Sequence, residues 1–291
     1  MFATQLDKHL ITPRKTILYL FNPEFNDYVD NISHKTLVYH AYDDYSKWDN
    51  YDTIIAQKEK SILLRADLIF TSSAAVKQRL EEISGRNDIT FLPNGVDYLH
   101  FSNPNHQEPK DLATIPHPRV GYVGSINKKI DLALLKKLAL KFNKYSFVMV
   151  GPINRLDKDD IKELEELHKL GNVYFLGNKN AHDLPSYMHN FSINIMLYKT
   201  TGNTWASSCY PLKLHEYLAV GKPVISPNIE AVKEFSNVVS IPNCLNDWFD
   251  SISQNIDLQN TANMTTKRQN TAAKNTWENR IKLILSEIQK V

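Results

Sequence analysis

The sequence predicts an α/β fold made of two Rossmann-like domains that face each other across a cleft. Short runs rich in β-branched and aromatic residues alternate with helical patterns from about residue 16 onwards. This alternation is typical of βα units around a largely parallel sheet. A polar, proline-bearing stretch over 97–118 divides the alternation into two series and predicts a linker. With 291 residues, 42% of them hydrophobic, the chain is long enough for two α/β domains.

The first series predicts an N-terminal domain over residues 1–111. Its expected strands are 16–21, 36–41, 68–71 and 89–92. Apolar residues spaced three and four apart predict helices over 54–66 and 73–83, and the Ser72-Ser73 pair supplies a hydroxyl N-cap for the second helix.

The second series predicts a domain over residues 112–270. Its expected strands are 119–123, 146–150, 173–176, 193–196 and 223–225, and its expected helices are 131–141, 157–169, 183–190, 212–220 and 230–235. A polar Asn/Thr stretch over 258–271 then precedes a long helix, 272–288. We expect the segment 271–291 to pack back on the first domain.

Charge and cysteine usage narrow the class of protein. Lys plus Arg number 34 against 32 Asp plus Glu, a balance that gives no support to a nucleic-acid binder, and we expect no nucleic-acid partner. Two cysteines suggest neither a disulfide framework nor a four-ligand zinc site. Residues 1–10 lack a signal-peptide core, and no run reaches the ~20 apolar residues that span a bilayer. We therefore expect a cytoplasmic protein, with at most peripheral membrane contact at the inner face.

Two common nucleotide-binding loops are missing from the sequence. It contains neither the spaced glycines of a dinucleotide-binding turn nor a glycine-rich loop that ends in Lys-Ser/Thr. Gly121 and Gly124 are too few and wrongly spaced. These absences disfavour NAD-dependent oxidoreductases and P-loop NTPases. A helix N-terminus remains able to bind a diphosphate, because its free N–H groups and its dipole attract anions.

The segment 207–216 is the best candidate for such a helix N-terminus. Pro211 suits a first helical turn, where its missing N–H costs no bond. Lys213 and Glu216 then lie three apart on one face, which places a cation for phosphates one turn before an acceptor for ribose hydroxyls. The alternative is an exposed Lys–Glu pair that merely supports an amphipathic helix, and spacing alone does not decide between the two.

Six segments in order resemble the GT-B glycosyltransferases of group 1, or family 4. The most specific is a Pro-Leu-Lys-Leu-x-Glu-Tyr-Leu-Ala-x-Gly-Lys-Pro-Val pattern, found here at 211–224. Supporting matches lie at 92–97, 121–125, 150–152, 172–177 and 183–188. The resemblance covers about 36–235. It implies a retaining, metal-independent enzyme that uses a nucleotide sugar, with no further cofactor and with UDP or GDP as the nucleotide.

The same resemblance implies roles for individual residues of the second domain. Glu216 corresponds to the ribose-binding second glutamate of the family's Glu-x7-Glu pattern. The remaining donor-binding positions are Gly124, Ser125, Lys129, Ser208, Tyr210, Pro211, Leu212 and Lys213. Ser208 stands where the family places its first glutamate, so it either binds the sugar or caps the helix. Lys128 and Lys129 follow the first strand of this domain in a register that differs from the family's.

The N-terminal half departs further from the family pattern. Only ~110 residues precede the linker, so the acceptor-binding domain is expected to be abbreviated. Its polar cluster follows the strand 36–41, and strand C-termini bind ligands in parallel sheets. We therefore name His40 and Asp44 as catalytic candidates. Against this, His40 on an apolar strand suits a core histidine, and the Asp43-Asp44 pair suits capping.

The resulting hypothesis is transfer of a sugar from a nucleotide diphosphate to a saccharide or lipid-linked acceptor in cell-surface glycan synthesis. Ser208 and the short first domain favour one alternative, a non-catalytic partner of another transferase. A nucleotide-sugar epimerase is the third hypothesis. We expect no metal site, and we expect Asp159 and Asp160 to lie on a solvated helix face.

Overall fold

The computed structural model describes residues 16–103, 107–202, 204–257 and 261–291. Residues 1–15 of the predicted first domain, 104–106 of the predicted linker and 258–260 of the polar stretch lie outside the described residues. The chain divides into two compact units. Unit 1 comprises 1–94, 207–210 and 277–291, and unit 2 comprises 95–206 and 211–276. Position 112, where we expected the boundary, lies within unit 2.

Unit 1 contains a four-stranded parallel sheet whose strands follow in chain order. They are β1 (Ile17–Leu20), β2 (Thr36–Ala41), β3 (Leu68–Thr71) and β4 (Thr90–Phe91). Two helices of this unit, α1 (Thr53–Arg65) and α2 (Ala74–Ser84), match the predicted ones to within two residues. Ser73 caps α2, because its hydroxyl accepts a hydrogen bond from the Val76 amide at 3.1 Å.

Apolar side chains cover both faces of this sheet. One face packs on α1 and α2, with Tyr39, Ile62 and Leu80 fully buried. On the other face Val38, Phe70 and Leu92 form a smaller cluster, against which Ile284 and Ile288 of the last helix pack. The last helix therefore contributes to the core of unit 1.

Unit 2 contains a five-stranded, all-parallel sheet. Its strands are β5 (Arg119–Val123), β6 (Ser146–Val150), β7 (Val173–Gly177), β8 (Ile193–Ile195) and β9 (Val224–Ile225), in the order β7-β6-β5-β8-β9. The order reverses between β5 and β8, and the C-terminal ends of the strands at such a reversal are where open α/β sheets bind ligands. The predicted α/β class is thus confirmed.

Helices connect and flank these strands. In chain order they are α3 (Tyr98–Ser102), α4 (Lys110–Ala113), α5 (Leu132–Lys141), α6 (Lys158–His168), α7 (Leu184–His189), α8 (Leu212–Val220), α9 (Leu245–Asp257) and α10 (Ala262–Lys274). The last helix, α11 (Trp277–Ile288), belongs to unit 1. Residues 230–235 form a 3-10 helix. The predicted helix over 212–220 has the bounds that the structure shows.

The C-terminal part differs from the prediction. Helix α9 is not among the predicted elements, and the polar stretch is helical from Ala262. The Thr261 hydroxyl caps α10 by accepting from the Met264 amide. The single helix predicted over 272–288 is broken at Asn275, whose carbonyl accepts from the Val96 amide at 3.0 Å. Tertiary contacts determine where these helices begin and end, because their effect outweighs the weak helix propensity of Thr and Asn.

Among the described helices, none is both long and apolar enough to pass through a bilayer.

Candidate functional site

The N-terminus of α8 carries no side-chain cap. Pro211 is the N-cap residue, with φ −67° and ψ 125°, so it stands one position before the first turn where we expected it. Proline has no hydroxyl or carboxylate to accept from the first turn, and no side chain caps these amides. The helix end therefore presents N–H groups and the positive end of the helix dipole, which favours an anion.

Lys213 lies directly against Gly124. A Cβ at position 124 would stand 2.4 Å from both Cε and Nζ of Lys213, so only glycine permits this approach. Gly124 also has φ 144°, in the region that favours glycine. It follows β5, and its amide donates to the Val150 carbonyl at the end of β6 at 2.8 Å. The ammonium of Lys213 is thereby held at the C-terminal edge of the sheet.

Two aromatic rings contact the Lys213 ammonium. Nζ lies 5.3 Å from the ring centroid of Tyr122 and 5.7 Å from that of Tyr198, which are cation–π contacts. Within the described part of the chain, no acidic side chain forms an ion pair with Lys213. The positive charge of Lys213 is therefore available to an anionic ligand.

Glu216 lies one turn further along α8 and is partly buried. Burial raises the pKa of its carboxyl group, and the nearby charge of Lys213 opposes that rise. No described residue donates a hydrogen bond to this carboxylate. A partly buried acceptor without a donor has lost part of its hydration, and a ligand hydroxyl could supply the missing hydrogen bond.

The loop after β5 carries two further predicted donor-binding residues, Ser125 and Lys129. The Ser125 hydroxyl accepts from the side-chain amides of Asn127 and Asn154, both at 3.4 Å. Lys129 places its Nζ 3.9 Å above the ring of Trp205. The sequence motifs included Tyr122 only as part of a glycine pattern and did not single out Tyr198 or Trp205. An aromatic residue in an irregular loop carries no periodic signal that would identify it.

Ser208 and Tyr210 belong to unit 1. The Ser208 hydroxyl is buried, and no hydrogen-bond partner is described for it. It does not cap α8, whose N-cap is Pro211. Backbone carbonyls hold the segment, since Ser208 accepts from the Ser73 hydroxyl at 2.6 Å and Tyr210 accepts from the Asn94 side chain at 2.7 Å.

His40 and Asp44, the catalytic candidates, also lie in unit 1 and have structural partners there. His40 is 8% exposed, and its Nδ1 is hydrogen-bonded to the Tyr19 hydroxyl at 3.0 Å. Burial lowers its pKa to about 4. Asp44 accepts from the amide and hydroxyl of Ser46 and pairs with Arg79 at 3.1 Å. These contacts fit the core and capping alternatives, and the catalytic roles stay predictions.

The expectation that Asp159 and Asp160 both lie on a solvated face is wrong for Asp160. This residue is 4% exposed, and both of its carboxylate oxygens accept from the Lys199 ammonium, at 2.7 and 2.9 Å. The burial of Asp160 raises its pKa despite that partner. In the described ranges, no group of three or more His, Cys, Asp and Glu residues is placed to hold a metal ion.

Comparison with known proteins finds a family that is similar to part of this chain. Residues 117–255 match the family described as "Glycosyl transferases group 1". Over 186 residues the chain is 32% identical to the Bacillus subtilis (strain 168) protein named "Putative teichuronic acid biosynthesis glycosyltransferase TuaH". The match covers 62% of this chain and 45% of that relative, so the chain spans less than half the relative's length.

Solved structures share the fold over nearly the whole chain. The crystal structure of Anabaena Alr3699/HepE in complex with UDP and glucose has a TM-score of 0.76 at 15% identity, covering 99% of this chain and 81% of that one. A glycosyltransferase from Rickettsia africae has a TM-score of 0.74 at 19% identity, with coverage of 99% and 79%. Residues 117–255 are therefore similar to the group 1 glycosyltransferases, and nearly the whole chain shares the GT-B fold of these solved structures.

Proposed function

We propose that this protein transfers a sugar from a nucleoside diphosphate, UDP in the first instance, to a saccharide or lipid-linked acceptor during cell-surface polysaccharide synthesis. The observation that carries the proposal is the Lys213 ammonium, held beside Gly124 at the start of α8 without an ion-pair partner among the described residues. Action in the cytoplasm or at the inner membrane face, without a metal ion or further cofactor, belongs to the same proposal.

The chemistry asks the protein to stabilise a departing diphosphate. The bond between the anomeric carbon and the β-phosphate oxygen breaks, a bond from that carbon to the acceptor oxygen forms, and the proton of the acceptor hydroxyl passes to the departing diphosphate or to water. Negative charge grows on the diphosphate as the bond breaks. The amides at the start of α8 and the ammonium of Lys213 are fixed in advance and would oppose that charge in the transition state.

Glu216 would anchor the nucleoside. Ribose hydroxyls donate well to a carboxylate, and Glu216 has no donor among the described residues. Its raised pKa gives the proposal a pH signature, because ribose binding favours the ionised carboxylate. Affinity for the nucleotide should therefore fall as the pH is lowered towards that raised value, and Glu216→Gln should lose this component of the pH dependence.

Two similar proteins support the choice of UDP as the nucleotide and of polysaccharide synthesis as the process. The Anabaena structure is a complex with UDP and glucose, and the name of the Bacillus subtilis relative refers to teichuronic acid biosynthesis. These descriptions belong to those proteins. They make UDP the first nucleotide to test and an anionic cell-surface polysaccharide the first product to seek.

Calorimetric titration of the protein with UDP, GDP and ADP tests donor binding. Lys213→Met removes a charge-assisted contact and should raise the Kd for UDP about ten- to hundredfold. Lys162→Met is the matched control, because Lys162 is an exposed helical lysine paired only with Asp159. If none of the three nucleotides binds the wild-type protein, the proposal is wrong.

Ser208 favours a second candidate function, that of a non-catalytic partner of another transferase. A hydroxyl occupies the position where the family pattern has a glutamate, so an acidic group at that place is lost. Incubation with UDP-sugars and a panel of acceptors separates the candidates. Transfer supports the enzyme, whereas nucleotide binding without turnover supports the partner role.

A further inference from the structure

Two lysines and three aromatic rings lie in contact beside the C-terminal ends of the unit 2 strands. The Lys129 ammonium lies 3.9 Å above the Trp205 ring, whose centroid is 5.2 Å from that of Tyr198. Tyr198 in turn lies 5.7 Å from the Lys213 ammonium, which also contacts Tyr122. We call these five residues the lysine–aromatic cluster. Lys129 thus contacts the ring of Trp205, and Lys213 contacts the rings of Tyr198 and Tyr122.

The backbone fixes the segments that carry this cluster. The Lys129 carbonyl accepts from the Lys199 amide at 2.9 Å, and Ile130 and Tyr198 form an antiparallel bridge. The Asp131 amide donates to the Leu197 carbonyl at 2.7 Å. The loop after β5 is thus paired with the segment that leads to Trp205, so the ring and the ammonium start from held positions.

We propose that Trp205 is a positioning residue, which holds the Lys129 ammonium ready for the diphosphate of the nucleotide sugar; this rests on the proposed function. Lysine has a flexible four-carbon stem and loses much rotamer freedom when it is fixed. Tryptophan has the aromatic face that attracts cations best. A lysine already confined by the ring loses less freedom when the anion binds.

The contact with the ring favours binding only if it persists in the complex. A partly exposed cation–π contact shifts an equilibrium about two- to fivefold. A charge-assisted hydrogen bond to phosphate is stronger, at roughly ten- to hundredfold. An ammonium has three N–H donors, so that of Lys129 can donate to the phosphate while it stays over the indole. Trp205 acts through Lys129 and need not touch the diphosphate.

A double-mutant cycle on UDP affinity tests this coupling. Trp205→Leu should raise the Kd about two- to fivefold in the wild-type background and leave it unchanged in the Lys129→Met background. Trp205→Phe keeps a ring with a weaker attraction for cations and should lie between Trp205→Leu and the wild type. A Trp205→Leu effect of equal size in both backgrounds would indicate a structural role and overturn the proposal.

Tryptophan fluorescence supplies an independent readout of the contact. UDP should change the emission of the wild-type protein, because the diphosphate brings negative charge to the ammonium over the indole, and the change should be lost in Trp205→Phe. Trp277→Phe is the control, since Trp277 lies in unit 1. If UDP binds with no emission change that depends on Trp205, the positioning role fails while the proposed function stands. If UDP does not bind, both fail.

Discussion

Lys213 and Glu216 are spaced alike for a surface ion pair and for a ligand site, and their surroundings distinguish these roles. A surface pair would leave both groups solvated. In the structure Lys213 contacts two aromatic rings, and Glu216 is buried enough to raise its pKa. A charged pair in such surroundings is typical of functional sites. The environment, which one sequence does not reveal, therefore supports the ligand-binding alternative for both residues.

His40 predicts a pH dependence of stability that needs no ligand. Its pKa is about 4 in the folded protein against an ordinary value of 6.5, so the unfolded chain binds the proton more readily. The contribution of neutral His40 to the free energy of unfolding is therefore present above pH 6.5 and is lost as the pH falls towards 4. This contribution amounts to up to about 3 kcal/mol. His40→Phe should flatten the plot of unfolding free energy against pH over this window.

Denaturant unfolding of the protein at half-unit pH steps would measure that slope. The exposed His182→Gln variant is the control and should follow the wild-type curve. An unchanged slope in His40→Phe would show that His40 is solvated in the folded protein, and would reopen its catalytic candidacy.

A buried arginine of helix α10, Arg268, connects this helix to neighbouring elements through hydrogen bonds. Arg268 is 5% exposed and donates to the Val238 carbonyl at 3.1 Å and to the Gly221 carbonyl at 3.3 Å. Gly221 ends α8 with φ 80°, the left-handed C-cap that leaves carbonyls to be satisfied. Arg268 thus ties α10 to the end of the helix that carries Lys213 and Glu216.

Arg268→Met should destabilise unit 2, because it leaves two buried carbonyls without this donor. The expected loss is about 1–3 kcal/mol of unfolding free energy, measured by denaturant titration. Lys267→Met changes the neighbouring, exposed residue of the same helix and should cost far less. Equal losses in the two variants would mean that the Arg268 bonds contribute nothing.

The sequence predicted those elements whose apolar spacing and caps are strong. The strands 36–41, 68–71, 119–123 and 146–150 and the helix 212–220 have the observed bounds. It missed α9 and the start of α10, because the Asn- and Thr-rich residues of α10 favour helix only weakly and acquire it through packing on α8. The motifs name Lys213, Glu216 and the loop after β5 as site candidates. They do not include Tyr198 and Trp205, so the sequence could not identify these two rings.

On the scale of the whole chain, the C-terminal segment returns to unit 1. The chain enters unit 2 at Gly95, returns to unit 1 over 207–210, and leaves unit 2 for the last time at Thr276. Helix α11 then packs on the unit 1 sheet. The Arg280 side chain donates to the Pro93 carbonyl at 2.9 Å, and the Lys35 ammonium donates to the Val291 carbonyl at 3.2 Å. Residues nearly 200 positions after the last strand of unit 1 therefore complete the packing of its sheet.

This connectivity predicts that α11 stabilises unit 1 selectively. Ile284 and Ile288 pack on Val38, Phe70 and Leu92, so replacing both isoleucines with alanine removes apolar contacts from one face of the sheet. Both are partly buried, and the expected loss is about 1–2 kcal/mol each. Hydrogen exchange should then quicken in β2 and β3, while the amides of β5 and β6 keep their protection.

The same helix supplies the control for that experiment. Ile281 and Leu285 are 52% and 51% exposed, so replacing both with alanine deletes similar side chains from the solvent side. This variant should leave exchange in β2 and β3 as in the wild type, because little apolar area returns to water. Equal effects from the two pairs would show that α11 is not docked through Ile284 and Ile288. Faster exchange in β5 and β6 would show that the two units do not unfold separately.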